Sequence, residues 1–314
     1  MRIYVVGHKS PDLDATSAPV AYVEYLTKVK RYKDAEIIPA VVDDTNKETA
    51  FVFQKYNLLR PRLLAIEEIK PEDKIILVDH NEEDQRMDDL NNEQVIEIVD
   101  HHKVKLDFGH PIRLDIRPFG SVCSVIYENF VKDELKPSRE VMGLILCSIL
   151  SDTQGLKSST TTKWDAKAAH DLAYELDEDL DQLTFDIFKA KSDMTGLSPE
   201  QIVKKDYKIF DFSRIKVFIG QVETVEPENI FAVKDQVIEA MIKVKATEGV
   251  DHIFLTVTDI LKVNSVVFYN TDEDKAVLEE AFKSIGNDHV INIGPKMSRK
   301  KDIAPPIEDA LRYK

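Results

Sequence analysis

Four stretches of the sequence each end an apolar run with aspartates or histidines. The residues that could do chemistry are His8, Asp12 and Asp14 in GHKSPDLDA, Asp79 in IILVDHNE, Asp100, His101 and His102 in IEIVDHH, and Asp152 in ILSDT. Imidazole and carboxylate groups without thiolates favour Mn²⁺, Co²⁺, Zn²⁺ or Mg²⁺ over softer metals. Two such ions held side by side are a common device for splitting phosphate esters and anhydrides. The sequence therefore predicts a metal-dependent phosphohydrolase.

Each stretch alone has a simpler interpretation. An aspartate after a strand or beside a helix end commonly caps or turns the backbone, and adjacent histidines can be ordinary surface residues. The metal interpretation rests on the joint occurrence of all four stretches, each at the end of an apolar run. His80, beside Asp79, is ambiguous. The remaining histidines have no acidic partner at ligand spacing and are expected to be structural or surface residues: His110, His170, His252 and His289.

The elements needed to position these residues can be read from the apolar pattern. Residues 3–6, 75–78 and 95–99 are short runs rich in Ile and Val, as expected for strands buried on both faces of a parallel sheet. A helix follows the first run, with Pro19 expected in its first turn, and a later helix starts near Ser138 and ends at Asp152. In α/β proteins, ligands bind in the crevice beyond the carboxyl ends of the strands. We therefore predict an N-terminal α/β domain with a doubly wound, mainly parallel sheet.

A second domain is predicted from residue 198 onwards. Ser198, Pro199 and Gln201 have the pattern of a helix start: a capping hydroxyl, a proline in the first turn and a glutamine that closes a capping box. The remainder has the order β-α-β-β-α-β, typical of a split β-α-β sheet with helices on one side. The predicted organisation is an N-terminal domain at 1–188, a linker at 189–197 and a smaller C-terminal α/β domain with a mixed sheet at 198–314.

Composition favours an intracellular protein with a small ligand. The formal charge of −15 argues against a broad surface for nucleic acid or membranes, since such surfaces are usually basic. The two cysteines, Cys123 and Cys147, lie in apolar stretches and are expected to be reduced. We expect no signal peptide, because the first strand and the first ligand stretch follow directly on the initial residues, and the apolar run 141–150 is too short to span a bilayer. We expect a cytoplasmic protein without nucleic-acid or membrane partners.

One local cluster of positive charge stands out from this acidic background. GPKMSRKKD places Lys296, Arg299, Lys300 and Lys301 within six residues. Arginine can bind phosphate through two parallel hydrogen bonds, and lysine supplies a compact point charge. On its own, such a cluster is more typical of a solvated basic loop. Facing metals on the other domain, it would enclose a small polyanion.

The ordered set of motifs is similar to that of a known family. GHKSPDLDA, VDHNE, VDHH, SDT followed by KSSTTT, and the late SRKK resemble the family II, manganese-dependent inorganic pyrophosphatases of the DHH phosphoesterase superfamily. The resemblance covers nearly the whole chain. It implies hydrolysis of inorganic pyrophosphate to two phosphates by a metal-bridged hydroxide. It also implies two Mn²⁺ or Co²⁺ per subunit, a Mg²⁺ that arrives with the substrate, and a homodimer formed through the N-terminal domain.

The resemblance also implies roles for individual residues. One ion would be held by His8, Asp12 and Asp79, and the other by Asp14, Asp79, His101 and Asp152. Asp79, which would bridge both ions, and His102, which would contact substrate oxygens, are the implied catalytic residues. Arg299 and Lys300 would bind a phosphate as the C-terminal domain closes. A further lysine of the family is left unassigned, because Gly196 and Leu197 occupy the stretch aligned with it; the alternatives are Lys191, Lys204 and Lys205.

Two alternatives to this function stay open. An exopolyphosphatase or nucleotide phosphatase of the same superfamily would share the metal site but use a different C-terminal pocket. A non-catalytic, metal-binding regulatory relative is disfavoured because every expected ligand is present. The glycine-rich GGGH element typical of nuclease-like relatives does not occur in the sequence, where SRKK stands instead.

Overall fold

The N-terminal unit, Met1–Lys191, is built around one parallel sheet in the computed structural model, which describes residues 1–312. Its strands are β1 (Arg2–Val6), β2 (Glu36–Val41), β3 (Arg62–Leu63), β4 (Lys74–Val78), β5 (Val95–Asp100) and β6 (Arg113–Ile116). They lie in the order β3-β2-β1-β4-β5-β6, and all neighbouring pairs are parallel. This is a strand order of doubly wound sheets, so the predicted α/β class is confirmed.

Six helices complete this unit. They are α1 (Leu13–Lys28), α2 (Lys47–Lys55), α3 (Val122–Lys132), α4 (Arg139–Asp152), α5 (Lys163–Leu176) and α6 (Leu180–Lys191). All six contribute buried side chains to one hydrophobic core, together with Val5 and Ile76 of the sheet. Successive residues of a strand point to opposite faces. Tyr4 and Leu77 accordingly belong to a second, smaller core, which the segments between strands cover.

The strands and one helix predicted for this unit are confirmed. The strands expected at 3–6, 75–78 and 95–99 are each one residue longer at one end. Helix α4 begins after Ser138, whose side chain accepts a hydrogen bond from the backbone N–H of Val141, and it ends at Asp152. The apolar runs were therefore sufficient to find the elements that carry the candidate ligands.

The position of Pro19 in α1 differs from the expectation. Asp12 caps the helix, its Oδ1 accepting a hydrogen bond from Ala15 N at 2.9 Å, so α1 begins at Leu13 and Pro19 lies in its interior. Because proline has no N–H, it cannot bond to the carbonyl of Ala15, four residues earlier. That carbonyl lies against Gly7, where a Cβ would come within 2.1 Å of the oxygen. The turn between β1 and α1 therefore requires glycine at position 7.

The C-terminal unit, which begins at Ser192, contains a mixed sheet of five strands. Its elements are α7 (Pro199–Val203), β7 (Tyr207–Phe212), β8 (Ile215–Thr224), α8 (Glu228–Phe231), α9 (Lys234–Glu248), β9 (His252–Asp259), β10 (Asn264–Phe268), α10 (Asp272–Phe282), β11 (Val290–Gly294) and α11 (Ala304–Leu311). The strand order is β11-β10-β9-β8-β7. Strands β8 and β9 are parallel, and the other neighbouring pairs are antiparallel. The predicted mixed sheet and the capping box at Ser198 are confirmed.

Two details predicted for the second sheet are wrong. Strands β8 and β9 are direct neighbours, so no strand splits the β-α-β unit. Helices cover both faces rather than one. Phe218 packs with α7 and α9, whereas the next residue, Ile219, packs with α10 and α11. In the described part of the chain, none of the helices is long and apolar enough to cross a membrane.

Candidate metal centre

The six predicted metal ligands lie at the carboxyl end of the parallel sheet. The turn after β1 supplies two of them, the first turn of α1 a third, the residues directly after β4 and β5 one each, and the last residue of α4 the sixth. They are His8, Asp12, Asp14, Asp79, His101 and Asp152. The strand order reverses between β1 and β4, and such a reversal opens a crevice where ligands bind in α/β folds.

The ligand atoms of these residues form three overlapping groups. Within each group, all ligand atoms lie within 4.8 Å of one another. The groups are His8 with Asp12 and Asp79, Asp79 with His101 and His102, and Asp14 with His101 and Asp152. The structure thus brings together every residue predicted to bind metal, and it adds His102. Nitrogen and carboxylate oxygen ligands in this combination suit Mn²⁺ and related divalent ions.

Asp79 has contacts that fit a metal ligand. Its Oδ2 lies 3.5 Å from His8 Nε2, and its Oδ1 lies 3.2 Å from His101 Nε2. The Asp79 side chain is only 2% exposed, yet neither its Oδ1 nor His101 Nε2 has a hydrogen-bond partner among residues 1–312. Leaving such buried polar atoms unpaired costs free energy. A cation bound to both atoms would remove that cost.

Hydrogen bonds orient two of the imidazole rings for metal binding. Nδ1 of His8 donates to the carbonyl of Lys9 at 2.7 Å, and Nδ1 of His101 donates to the carbonyl of Phe119 at 2.9 Å. A carbonyl can only accept, so in the neutral form of each ring, the form that binds metal, the proton lies on Nδ1. The lone pair on Nε2 is then directed at the cluster of carboxylates, which is the usual arrangement of a metal-bound histidine.

Without a cation, the centre retains protons. Burial opposes a positive charge on His8 and His101, but the contact with Asp79 outweighs it and raises the pKa to about 9 for His8 and about 10 for His101. Burial would raise the pKa of Asp79, but the two histidines lower it below its usual range. Burial and the charge of Asp79 raise the pKa of Asp14 to about 6. Cations must displace such protons in order to bind.

Asp100, the last residue of β5, supports His102 instead of joining a ligand group. Its Oδ1 accepts hydrogen bonds from His102 Nδ1 at 2.9 Å and from the backbone N–H of His101. Its Oδ2 accepts from Asn81 Nδ2 at 2.6 Å. The bond to Asp100 raises the pKa of His102, whose side chain is 47% exposed. Sequence analysis missed Asn81, because nothing in DHN indicates a contact with the neighbouring strand.

The other histidines lie outside the three ligand groups. His80 is buried, its Nδ1 donates to the carbonyl of Val78 at 2.9 Å, and burial lowers its pKa to about 4. His252 was expected to be a structural or surface residue, and it is buried. Its Nδ1 lies 2.7 Å from Oδ1 of Asp274, a residue of α10 that the fold brings to the start of β9. Spacing along the chain gave no sign of this contact.

The predicted phosphate-binding residues belong to the C-terminal unit. Arg299 and Lys300 begin a short π-helical turn, Arg299–Ile303, that leads into α11. Nη2 of Arg299 donates to Asp206 Oδ1 at 2.8 Å, while its buried Nη1 has no hydrogen-bond partner within the described residues. Gln221 of β8 holds the preceding segment by donating to the carbonyl of Met297 at 2.8 Å. The role of Arg299 and Lys300 stays a prediction.

Comparison with known proteins agrees with the division into two units. Residues 2–149 match the N-terminal domain of the DHH family, and residues 186–310 match the DHHA2 domain. The manganese-dependent inorganic pyrophosphatase of Methanocaldococcus jannaschii is 37% identical over 98% of both chains. The enzyme of the same name from Methanothrix thermoacetophila is 32% identical over 99% of this chain and 98% of its own.

Solved structures give the same result. A Methanococcus jannaschii structure assigned to the family II inorganic pyrophosphatases covers 99% of both chains, with 35% identity and a TM-score of 0.64. An exopolyphosphatase-related protein from Bacteroides fragilis shares the fold, with a TM-score of 0.51 and 16% identity over 99% of this chain and 92% of its own. The chain therefore belongs to the manganese-dependent inorganic pyrophosphatase family, with a DHH domain followed by a DHHA2 domain.

Proposed function

We propose that the protein hydrolyses inorganic pyrophosphate to two phosphates. The observation that carries this proposal is the convergence of six carboxylate and imidazole ligands in a chain related over 98% of its length to manganese-dependent inorganic pyrophosphatases. Pyrophosphate is a small polyanion. Bound divalent cations would attract such an anion. The acidic surface of the chain disfavours a nucleic acid, because a phosphate backbone is usually bound by a basic surface.

The proposed centre holds two Mn²⁺ or Co²⁺ ions. His8, Asp12 and Asp79 would hold one, and Asp14, Asp79, His101 and Asp152 the other. The shared role of Asp79 is supported by its two carboxylate oxygens, which lie near different histidines, His8 and His101. Divalent cations bound there, with a Mg²⁺ that accompanies the substrate, would neutralise phosphate charge and make a nucleophilic hydroxide available near neutral pH.

Protein side chains would orient the substrate and stabilise its charge. Asp100 holds Nδ1–H of His102 and raises the pKa of this ring, which favours a proton on Nε2 as well. Nε2–H would donate to an oxygen of pyrophosphate. Arg299 would donate through Nη1, and Lys300 would add a point charge on the same phosphate. Phosphoryl transfer depends mainly on such positioning and charge stabilisation.

The proposal requires the two units to approach each other when substrate binds, because the ligands and the cationic turn belong to different units. Closure of this kind excludes water and commits the substrate to reaction. We expect solution X-ray scattering to give a smaller radius of gyration with Mn²⁺ and a nonhydrolysable pyrophosphate analogue than with Mn²⁺ alone. Identical profiles would count against closure.

A panel of substrates tests the proposed activity. Phosphate release would be measured from pyrophosphate, tripolyphosphate, long-chain polyphosphate and a short oligonucleotide, each with Mn²⁺, Co²⁺ or Mg²⁺. Fast turnover of pyrophosphate alone supports the proposal. Preference for long polyphosphate supports an exopolyphosphatase, and no turnover of any substrate supports a regulatory metal-binding protein.

Assembly, domain limits and location complete the proposal. We propose a homodimer formed through the N-terminal domain, with domains at 1–188 and 198–314 joined by the linker 189–197, in the cytoplasm. Sedimentation equilibrium of the full chain tests the dimer. A mass of one chain at micromolar concentration would contradict it.

A further inference from the structure

Residues 119–121, between β6 and α3, contact two ligands of the group formed by Asp14, His101 and Asp152. The carbonyl of Phe119 accepts the Nδ1–H of His101 at 2.9 Å. Ser121 Oγ donates to Asp14 Oδ1 at 3.0 Å, and the backbone N–H of Val122 donates to Asp14 Oδ2 at 2.6 Å. One short segment thus fixes the ring of His101 and the carboxylate of Asp14.

The same segment packs beside the third ligand of the group. A Cβ at Gly120 would come within 2.6 Å of Thr153 Cγ2, so the backbone of Gly120 lies directly against Thr153. Thr153 immediately follows Asp152 at the end of α4. The backbone at position 120 therefore limits where the last turn of α4, and with it Asp152, can lie.

Asp165 also contacts this segment and holds it in place. The residue is fully buried in the first turn of α5, and its carboxylate is not part of any ligand group among residues 1–312. It accepts hydrogen bonds from Gly120 N at 2.9 Å, Ser124 Oγ at 2.5 Å and Thr162 Oγ1 at 2.6 Å. It thereby joins the start of α3 to the start of α5.

We propose that Asp165 is a positioning residue for one of the two metal sites. Through residues 119–121 it sets the positions of Asp14, His101 and Asp152, and so the affinity of the ion that they bind. Within residues 1–312, no hydrogen bond joins this segment to the other group, formed by His8, Asp12 and Asp79. The inference rests on the proposed two-ion centre. It adds that Asp165 affects the affinity of only one of the two ions.

Asp165→Asn is the direct test. An amide presents an NH₂ group to donors that now face a carboxylate oxygen, so the segment 119–121 must shift while the side-chain volume is kept. Partners of metal ligands typically contribute 10- to 100-fold to metal affinity. Asp165 acts one contact further from the ligands than such partners, so in a Mn²⁺ titration of the full chain by equilibrium dialysis we expect one of the two dissociation constants to rise by up to roughly 10-fold and the other to stay unchanged.

A double-variant comparison identifies the affected ion. Asp152→Asn should leave one tight ion, bound by His8, Asp12 and Asp79. Adding Asp165→Asn to that background should not change the affinity of the remaining ion, because the two substitutions act on the same site. A further weakening of this ion would overturn the proposal, as would equal weakening of both ions, or of neither, in Asp165→Asn alone.

Two other variants separate positioning from folding. Asp274→Asn is the matched control: Asp274 is also fully buried, and it lies at the same position of a capping box, in α10 of the C-terminal unit. It should leave both Mn²⁺ affinities unchanged. If Asp165→Asn does not fold, Ser124→Ala removes a single bond to Asp165 and should weaken the same ion by a smaller factor. A wild-type chain that binds only one ion would instead refute the two-ion centre itself.

Discussion

Asp79 combines a buried, unpaired carboxylate oxygen with an unusual backbone. Its φ of 64° lies in the left-handed region, which is uncommon for residues other than glycine and costs roughly 1–3 kcal/mol in residues held there. The backbone N–H of Asp79 still donates to the carbonyl of Val99 at 3.0 Å, so the turn begins immediately after the strand pairing ends. This conformation directs the carboxylate towards His8 and His101.

We predict that Asp79→Ala costs more activity than His102→Gln. Removing His102 should lower kcat by roughly 10²- to 10³-fold, the range for loss of one hydrogen-bond donor to the charge that develops on the substrate, while both ions stay bound. Removing Asp79 takes a ligand from both ions and should release metal as well. Bound Mn²⁺ per chain and turnover of pyrophosphate would be measured together. Equal metal loss in the two variants would contradict the shared role of Asp79.

The pKa values of the two histidines predict how Mn²⁺ binding depends on pH. In the metal-free chain, His8 and His101 have pKa values raised to about 9 and about 10, so both rings are protonated at pH 7. Because each ring must lose a proton to bind a cation, apparent affinity should rise by up to about tenfold per pH unit for each proton released, until about pH 9. Calorimetric titration in buffers of different ionisation enthalpy measures this release. An affinity independent of pH between 6 and 9 would exclude it.

Residue types in the sequence were sufficient to predict which side chains the fold brings together in the ligand groups, but not the contacts that hold those side chains in place. His8, Asp79 and Asp152 each end an apolar run, and that position marks them as candidates. The carbonyl of Phe119 carries no signal, because any residue could supply it. Asp165 was equally hidden, since an aspartate three residues after a threonine also fits an ordinary capping box. Both contacts depend on which segments the fold brings together.

Among the elements, β5 carries a second buried acidic residue, which belongs to none of the three ligand groups. Glu97 is fully buried, although the apolar run 95–99 predicts a strand buried on both faces. Its carboxylate accepts hydrogen bonds from Tyr22 at 2.6 Å, Arg31 at 2.9 Å and Tyr32 at 2.9 Å, and Arg113 Nε lies 2.8 Å away. These contacts tie α1 and the turn after it to β5 and to the edge strand β6.

We predict that Glu97→Gln lowers the free energy of unfolding by roughly 1–3 kcal/mol, because buried donors lose their acceptor. Urea denaturation of the metal-free chain would measure this change. The same substitution at the exposed Glu67 is the control and should change stability by less than about 0.5 kcal/mol. Equal free energies of unfolding for the Glu97→Gln and wild-type chains would show that these contacts make no net contribution to stability.

Element types were predicted more reliably than their surroundings. Apolar runs and capping residues located β1, β4, β5, α4 and α7, because both signals are local. Pro19 was misplaced because the sequence does not distinguish a proline in the first turn of a helix from one in its interior. In α1 the interior position is tolerated because the carbonyl of Ala15, which cannot bond to Pro19, lies against Gly7. The second layer of helices in the C-terminal unit was missed because β8 is apolar on both faces, and such a run does not reveal what covers each face.

At the scale of the whole molecule, the residues proposed to bind metal and those proposed to bind phosphate belong to separate units. We predict that Arg299→Ala leaves both Mn²⁺ ions in place and weakens substrate binding. Loss of a hydrogen bond to a charged group costs roughly 1.5–3 kcal/mol, which corresponds to about a 10- to 150-fold rise in KM. Steady-state kinetics with pyrophosphate would measure it. Lys243→Ala, at an exposed cation of α9 in the same unit, is the control and should leave KM unchanged. Loss of Mn²⁺ from Arg299→Ala would contradict the separation.

The spread of the ligands along the chain, from His8 to Asp152, makes bound ions act as removable cross-links through most of one unit. An ion that binds only the folded state stabilises it by about 2.7 kcal/mol at a hundred times its dissociation constant. Heating should therefore give an N-terminal transition that moves upward with Mn²⁺ and a C-terminal transition that does not. Removing the ions with a chelator would therefore lower the unfolding temperature of the N-terminal unit and leave that of the C-terminal unit unchanged.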